Sequence, residues 1–307
     1  MSVVGVDIGG SHITCGIVSR DGSLLKESIV NRKTFDKQGI DLIHEWSTAI
    51  NDVIEKNHNE DLVGIGIAIP GPVDYQHGVA YFDGSNSKFQ SLYKVDIKSE
   101  LLKALDYKGE IRFVNDAVAF GIGENWVGEA KGFGCSLAIT LGTGFGSTIF
   151  KDNQPLLKGA SVPKNGCFWH LPFKDGIADD YFSTRWLVKR YNELRGTQVE
   201  GVKEIAEVFD SCAYSRKAFD EFGEMLGEFL LPWLSKLEIE ALILGGNISL
   251  AISCFEKPLH SFLVQKNQPL IIKKSELRES AALIGSARIH KEDYWQSLND
   301  QIAGATF

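Results

Sequence analysis

No apolar run in this 307-residue chain is long enough to cross a bilayer. There is no run of Lys or Arg either, and a net charge of −8 argues against a nucleic-acid-binding surface. The five cysteines (Cys15, Cys135, Cys167, Cys212, Cys254) are odd in number and scattered, which favours a reducing cytoplasm and mostly buried thiols. No low-complexity or linker-like segment is visible, and Met1 runs straight into a strand without a signal peptide, so a cytoplasmic protein is expected. Apolar residues are not scarce: at 44% of 307 residues they can bury a large core, which in a chain of this length usually divides into two domains.

The stretch "VVGVDIGGSHITCGIVSRDG", Val3 to Gly22, shows how that core begins. Val4, Val6 and Ile8 alternate with smaller or polar residues, as do Ile13, Cys15 and Ile17, and Asp21-Gly22 signals a hairpin into Leu24-Leu25. Gly9-Gly10-Ser11 therefore lies between two antiparallel strands. Adjacent glycines let backbone N–H groups converge into an anion site. An acid beside them, Asp7, suits a Mg²⁺ bridged to phosphate oxygens. Taken alone, an ordinary hairpin with a surface acid accounts for these residues equally well.

"LAITLGTGFGSTIFKDNQPLL", Leu137 to Leu157, repeats the pattern about 130 residues later. Leu137, Ile139 and Leu141 alternate, Gly142-Thr143-Gly144 turns, a second strand runs to Ile149-Phe150, and Lys151 to Gln154 closes the next hairpin. Thr140 falls where Asp7 stands, so the two copies look like halves of a duplicated fold. A dinucleotide fingerprint is excluded, because it requires a helix directly after the glycines and Ser147-Thr148-Ile149-Phe150 is strand-like. Elsewhere, Ile40 to Ile54 carries a helical stripe, Leu62 to Ile69 reads as a buried strand before Pro70-Gly71-Pro72, and helix-like Ile97 to Leu105 precedes the strand Glu110 to Val114. Tyr181 to Leu194 and Tyr214 to Leu237 read as helices, the second broken or kinked near Pro232. Ala241 to Leu244 and Leu270 to Lys274 read as strands, with a helix from Leu277 to His290. Strands mixed with helices in both halves indicate an α/β protein of two similar domains with a cleft between them.

Taken together, the motifs resemble the actin-like ATPase superfamily and, within it, the ROK family of sugar kinases and related repressors, over essentially the whole chain. Asp7-Ile8-Gly9-Gly10-Ser11 resembles the first phosphate motif, Leu141-Gly142-Thr143-Gly144 the second, and Leu244-Gly245-Gly246-Asn247-Ile248 the adenosine motif. Val114-Asn115-Asp116-Ala117 with Glu124 resembles the segment that carries the catalytic aspartate. The resemblance implies duplicated actin-like ATPase (ribonuclease H-like) domains, divided as 1–117 with about 292–307 and 118–291, around a central cleft. It also implies ATP and Mg²⁺, a hexose or amino-hexose as acceptor, and a homodimer. Since nothing precedes the first phosphate motif, the kinase branch is expected rather than the repressors, whose DNA-binding segment lies there.

Phosphoryl transfer to a hydroxyl needs positioning, charge neutralisation and a proton acceptor. The resemblance gives the last role to Asp116, although a helix N-cap would also explain an acid before Ala117-Val118. It gives sugar contacts to Asn115, Asn86 and His170, and to Asp179 at the position of a sugar-binding Glu. Each has a plainer reading: a turn residue for Asn86, a core histidine for His170, and a helix N-terminal acid for Asp179. One segment departs from the family pattern. Where Glu-x-Gly-His and a zinc-binding cysteine run are typical, this chain has "NGCFWHLPFKDGIADDYFS", with Cys167 in place of the Glu and no further cysteine before Cys212. No zinc is expected, since a structural site needs four Cys or His ligands. The glycine motifs and the missing cysteine run are also similar to polyphosphate glucokinases of the family, and the lost Glu leaves open a catalytically weak sugar-binding or regulatory protein. His12 replaces a Lys often found after the first glycines.

Overall fold

The alternation at the start of the chain builds the first of two sheets. The computed structural model describes residues 1–58, 61–82 and 87–303. Its first part contains strands β1 (Ser2–Ile8), β2 (His12–Ser19), β3 (Leu24–Lys33), β4 (Leu62–Ile69), the short pair β5 (Val73–Asp74) and β6 (Val79–Ala80), and β7 (Ile111–Asn115). Helices α1 (Gly39–Lys56), α2 (Ile97–Ala104) and α3 (Asp116–Val127) belong with them. Next come β8 (Cys135–Leu141), β9 (Phe145–Lys151), β10 (Gln154–Pro155), the pair β11 (Pro172–Phe173) and β12 (Gly176–Ile177), and helices α4 (Ala178–Tyr181), α5 (Thr184–Arg195), α6 (Val202–Glu207) and α7 (Ala213–Leu237). Strand β13 (Ala241–Gly245), helix α8 (Ile252–Gln265), strand β14 (Ile271–Lys274) and helices α9 (Ser280–Arg288) and α10 (Glu292–Ile302) follow. Residues Met1–Val127 with Glu279–Phe307 form one compact unit, and Gly128–Arg278 form the other. No helix among the described residues is long and apolar enough to cross a membrane.

The two sheets have the same plan. The first runs β3-β2-β1-β4-β7 and the second β10-β9-β8-β13-β14. In each, the central strand pairs antiparallel with its hairpin partner and parallel with the strand on its other side. Asp7 pairs with Ala68 on β4 as Thr140 pairs with Gly245 on β13, so the glycine turns leave equivalent strand ends. The duplication inferred from two short motifs thus extends to the whole sheet order.

Burial explains the pattern in the first unit. Val4, Val6, Ile8, Ile13, Cys15 and Ile17 are all buried, and Leu42, Ile43, Trp46, Ile50 and Val53 bury one face of α1. Helix α9 lies so close to its neighbours that side chains are excluded. A Cβ on Gly285 would stand 1.8 Å from the Ala119 carbonyl oxygen, and one on Gly5 would stand 2.3 Å from that of Leu283. The buried Ser286 hydroxyl accepts the Val6 N–H at 3.1 Å, fixing α9 in register with β1.

The second unit has an aromatic core. The Phe229 ring, on α7, lies 5.9 Å from Phe145, 6.1 Å from Phe168, 5.5 Å from Phe173 and 5.2 Å from Phe182. Three of these rings are next to segments singled out above: Phe145 follows Gly144, Phe168 precedes Trp169-His170, and Phe182 follows the Asp179 turn.

Three expected helices are corrected. Helix α7 runs from Ala213 to Leu237 through Pro232 without a break, held by buried Phe229, Leu230, Leu234 and Leu237 on both sides of the proline. The helix expected over Tyr181 to Leu194 is two, because Ser183 is extended at φ −137°, ψ 163°. The helix expected from Leu277 begins at Ser280, since Arg278 sits at φ 54°, outside any right-handed helix.

Candidate active site

In the first unit β1 carries a half-buried acid, Asp7, one residue before its end. Burial, followed by the charges of Asp116 and then Glu279, pushes the Asp7 carboxyl up to about 7. Asp116, the first residue of α3, is also held above the ordinary carboxylate range by burial. The N–H groups of Ala117 and of Asp116 itself, and the Asn115 side chain, oppose that rise. Three acids from three separate segments therefore share one electrostatic neighbourhood, a costly arrangement unless a cation or a proton is bound there.

Neighbouring side chains fix Asp116 in place. Asn115, not Asp116, caps α3: its Oδ1 accepts from the N–H groups of Ala117 at 3.0 Å and Val118 at 3.2 Å. Its Nδ2 donates to the Tyr75 hydroxyl at 3.2 Å, and that hydroxyl donates to the Ile69 carbonyl at 3.1 Å. The Asp116 Oδ1 accepts only from the adjacent Ala117 N–H in this cap, at 2.9 Å. Asn115, assigned to sugar from the sequence, uses its amide oxygen to cap α3 and its amide nitrogen to reach Tyr75.

The turn after β1 is closed by the Gly9 N–H donating to the His12 carbonyl at 2.9 Å. The Ser11 carbonyl accepts from the Thr34 N–H at 2.9 Å, and Ser11 Oγ lies 3.1 Å from His12 Nδ1. Neither Gly10 nor Gly142, the first residue of the second turn, has a left-handed φ, and a Cβ on either would meet nothing within 4 Å. The fold itself does not require glycine at these two positions. Among the described residues the N–H groups of Gly10, Ser11, Thr143 and Gly144 find no acceptor in the protein. Each turn thus presents two unpaired amides next to open space, a concavity shaped for an anion.

In the second unit the Gly142–Gly144 turn rests on the segment from Asp179 to Arg185. The Gly142 carbonyl accepts from the Thr184 N–H and the Thr143 carbonyl from Arg185 Nη1, each at 2.7 Å. Asp179 Oδ1 accepts from the Phe145 N–H and its Oδ2 from Arg185 Nη2, again at 2.7 Å each. Beside the turn, Gly246 has φ 77°, and a Cβ there would lie 2.4 Å from the Leu141 carbonyl oxygen, so the Gly245-Gly246-Asn247 loop is pressed against the end of β8. The Gly246 carbonyl accepts from the Ser249 hydroxyl at 2.7 Å, which turns the chain after Asn247.

His170 is half-buried, and burial together with the charge of Lys164 lowers its pKa, which keeps the ring neutral at pH 7. The Trp169 ring, 48% exposed, stands edge-on to it at 5.3 Å, and the Trp169 carbonyl accepts from the Asp179 N–H at 3.0 Å. Cys167 is buried and its thiol donates to the Asn165 carbonyl at 3.4 Å. Among the described residues no three His, Cys, Asp or Glu side chains are grouped to hold a metal ion directly.

The structure thus gathers Asp7, Gly9, Gly10, Ser11, Asn115 and Asp116 in the first unit. It gathers Gly142, Thr143, Gly144, Gly245, Gly246, Asn247, His170 and Asp179 in the second. Asn86 lies outside the described residues. Four residues add to what the sequence suggested: Tyr75, Glu279, Trp169 and Arg185. Only Trp169 left a trace in the sequence, as a bulky ring where the Glu-x-Gly-His pattern has glycine.

The model of the ROK family matches residues 3–293. A glucokinase of Thermotoga maritima is 28% identical over 95% of this chain and 98% of its own length. An N-acetyl-D-glucosamine kinase of Mannheimia succiniciproducens is 24% identical over 93% and 98%. The crystal structure of a ROK family glucokinase from Streptomyces griseus in complex with glucose and AMPPNP superposes with a TM-score of 0.75, at 23% identity, covering 94% of this chain and 99% of that one. With the family model covering nearly its whole length, this chain belongs to the ROK family.

Proposed function

We propose that this protein is an ATP-dependent sugar kinase that transfers the terminal phosphate of ATP to a hydroxyl of a hexose or amino-hexose. The observation that carries this reading is the pair of glycine turns, each with two unpaired amides and an open Cβ position, together with half-buried Asp7 near the end of β1 and half-buried Asp116 just after β7. Full-length relatives named glucokinase and N-acetyl-D-glucosamine kinase support it and leave the sugar undecided between those classes.

In this reading the acceptor hydroxyl oxygen attacks the terminal phosphorus, its proton passes to Asp116, and the bond to the bridging oxygen of ADP breaks. A base raised above the ordinary carboxylate range is better matched to that proton, and such a group contributes about 10²–10⁴ in rate. Asn115 and Tyr75 orient the base rather than the sugar. The amides of Gly10, Ser11, Thr143 and Gly144 receive phosphate oxygens, and Gly245, Gly246 and Asn247 form the adenosine side. Mg²⁺, when bound, neutralises phosphate charge. The residues fit it as a water-mediated site, because Asp7 with Asp116 and Glu279 creates a negative field without a ready cage of direct ligands. His170 contacts the sugar through a neutral ring, flanked by Trp169.

The buried Cys167 favours a second reading, a sugar-binding or regulatory protein, because it replaces an acid that would hold sugar hydroxyls. A coupled-assay panel of glucose, mannose, N-acetylglucosamine and N-acetylmannosamine separates the two, run once with ATP and once with polyphosphate. Turnover of one or more sugars with ATP is the expected result. Sugar binding without turnover from either donor would favour the second reading, and turnover from polyphosphate alone would reassign the donor.

A further inference from the structure

We propose that Asp179 and Arg185 are positioning residues for the phosphoryl donor: together they clamp the Gly142–Gly144 turn so that its free amides face the phosphates. The inference rests on reading that turn as a donor site, and it goes beyond that reading in naming what aims the turn. In a trans peptide the carbonyl of one residue and the N–H of the next point in opposite directions. The Gly142 carbonyl is held by the Thr184 N–H, which directs the Thr143 N–H the other way. The Thr143 carbonyl is held by Arg185 Nη1, which does the same for the Gly144 N–H. These are the two amides of this turn that lack an acceptor among the described residues.

Asp179 completes the clamp. One carboxylate oxygen takes the Phe145 N–H, ending the turn, and the other holds Arg185 at 2.7 Å. The two glycines of the turn then have different reasons. A Cβ on Gly144 would lie 2.9 Å from Asp179 Oδ1, so glycine is needed there for the clamp, whereas at Gly142 the space is open. Asp179 also stands where the family pattern has a sugar-contacting Glu, and the shorter side chain keeps its carboxylate on the turn. Arg185 suits the task because its planar fork serves a carbonyl and a carboxylate at once, which a lysine ammonium cannot do in the same geometry. Its side chain is 57% exposed and that of Asp179 25%, so replacing either is expected to leave the core intact.

The experiment measures AMPPNP affinity by calorimetry, and KM for ATP and for glucose separately, in wild type, Arg185→Ala, Arg185→Lys, Asp179→Asn and the double variant Arg185→Ala/Asp179→Asn. Loss of a partly exposed charge-assisted bond should weaken AMPPNP binding and raise KM for ATP about 3- to 10-fold, with KM for glucose within about twofold. Arg185→Lys should fall between Arg185→Ala and wild type, and the double variant should lose less than the product of the single effects. A rise in KM for glucose with KM for ATP unchanged would overturn the proposal and return Asp179 to the sugar. So would variants that bind AMPPNP as tightly as wild type. A wild-type protein that binds no AMPPNP overturns the donor reading itself, and this inference with it.

Discussion

Alanine in place of Gly142, and separately of Gly10, should leave the fold intact and damage nucleotide binding. At both positions a new Cβ meets no atom of the protein within 4 Å, and neither residue needs a left-handed φ. Replacing glycine by alanine where the backbone tolerates it removes freedom from the unfolded chain and stabilises a protein by about 0.4–1 kcal/mol. For a body of this size that corresponds to a rise in Tm of roughly 1–4 °C. The added methyl would instead occupy space beside the unpaired amides, and displacing a phosphate oxygen from one such bond is worth about 1.5–3 kcal/mol, or roughly 10- to 150-fold in affinity. Gly285→Ala is the control. Its Cβ would lie 1.8 Å from the Ala119 carbonyl oxygen, so α3 and α9 would have to separate, at a cost of about 1–3 kcal/mol or more. Calorimetric melting and AMPPNP titration of the three variants separate the cases. If Gly142→Ala melts as early as Gly285→Ala while binding AMPPNP like wild type, the open-space reasoning fails.

Asp7→Asn should alter the pH dependence of stability in the free protein. Because the folded-state pKa is raised from 3.8 to about 7, the folded protein keeps a proton through this window that the unfolded chain has lost, and stability falls as pH rises across it. The variant lacks that slope and should exceed wild type by about 2–4 kcal/mol at pH 8, with no such gain at pH 4, measured by urea unfolding. An equal offset at both pH values would refute the assignment. Protein purified without chelator should contain less than stoichiometric zinc, and chelation should leave its Tm unchanged, since Cys167 donates to the Asn165 carbonyl and no further cysteine lies near it in sequence. One zinc per chain by elemental analysis would contradict this. Tyr75→Phe removes the partner of Asn115 Nδ2 and should lower kcat several-fold with little change in KM for ATP, because Asn115 holds the base and not the donor.

What could be read from the sequence depended on how local its cause was. Strands β1, β2, β8 and β9 were legible from their alternation of larger apolar with smaller or polar residues, although both faces are largely buried, and the two glycine turns from their closely spaced glycines. Their equivalence gave the duplication, which the matching sheet orders complete. Helix interruptions were less legible. Arg278 takes a left-handed φ and Ser183 an extended one, which neither residue type announces, and α7 continues through Pro232 with buried leucines on either side of it. The site divides in the same way. Asp7 and Asp116 stand at strand ends, Asp7 marked by the glycines after it and Asp116 by the resemblance of its segment to the family's. Arg185 and Tyr75 act through bonds to residues 42 and 40 positions away, and nothing in their own neighbourhood marks them. Asn115 and Asp179 were singled out as sugar contacts, and their side-chain bonds run instead to the α3 cap with Tyr75 and to the glycine turn.

The most direct measurement is ³¹P NMR of a reaction containing the protein, ATP, Mg²⁺ and the sugar panel, run with wild type and with Asp116→Asn. The account predicts a sugar-phosphate resonance growing in step with ADP for wild type. With Asp116→Asn it predicts a rate lower by about 10²–10⁴, with AMPPNP affinity and melting temperature nearly unchanged. Sugar phosphate formed by Asp116→Asn at the wild-type rate would contradict the central claim.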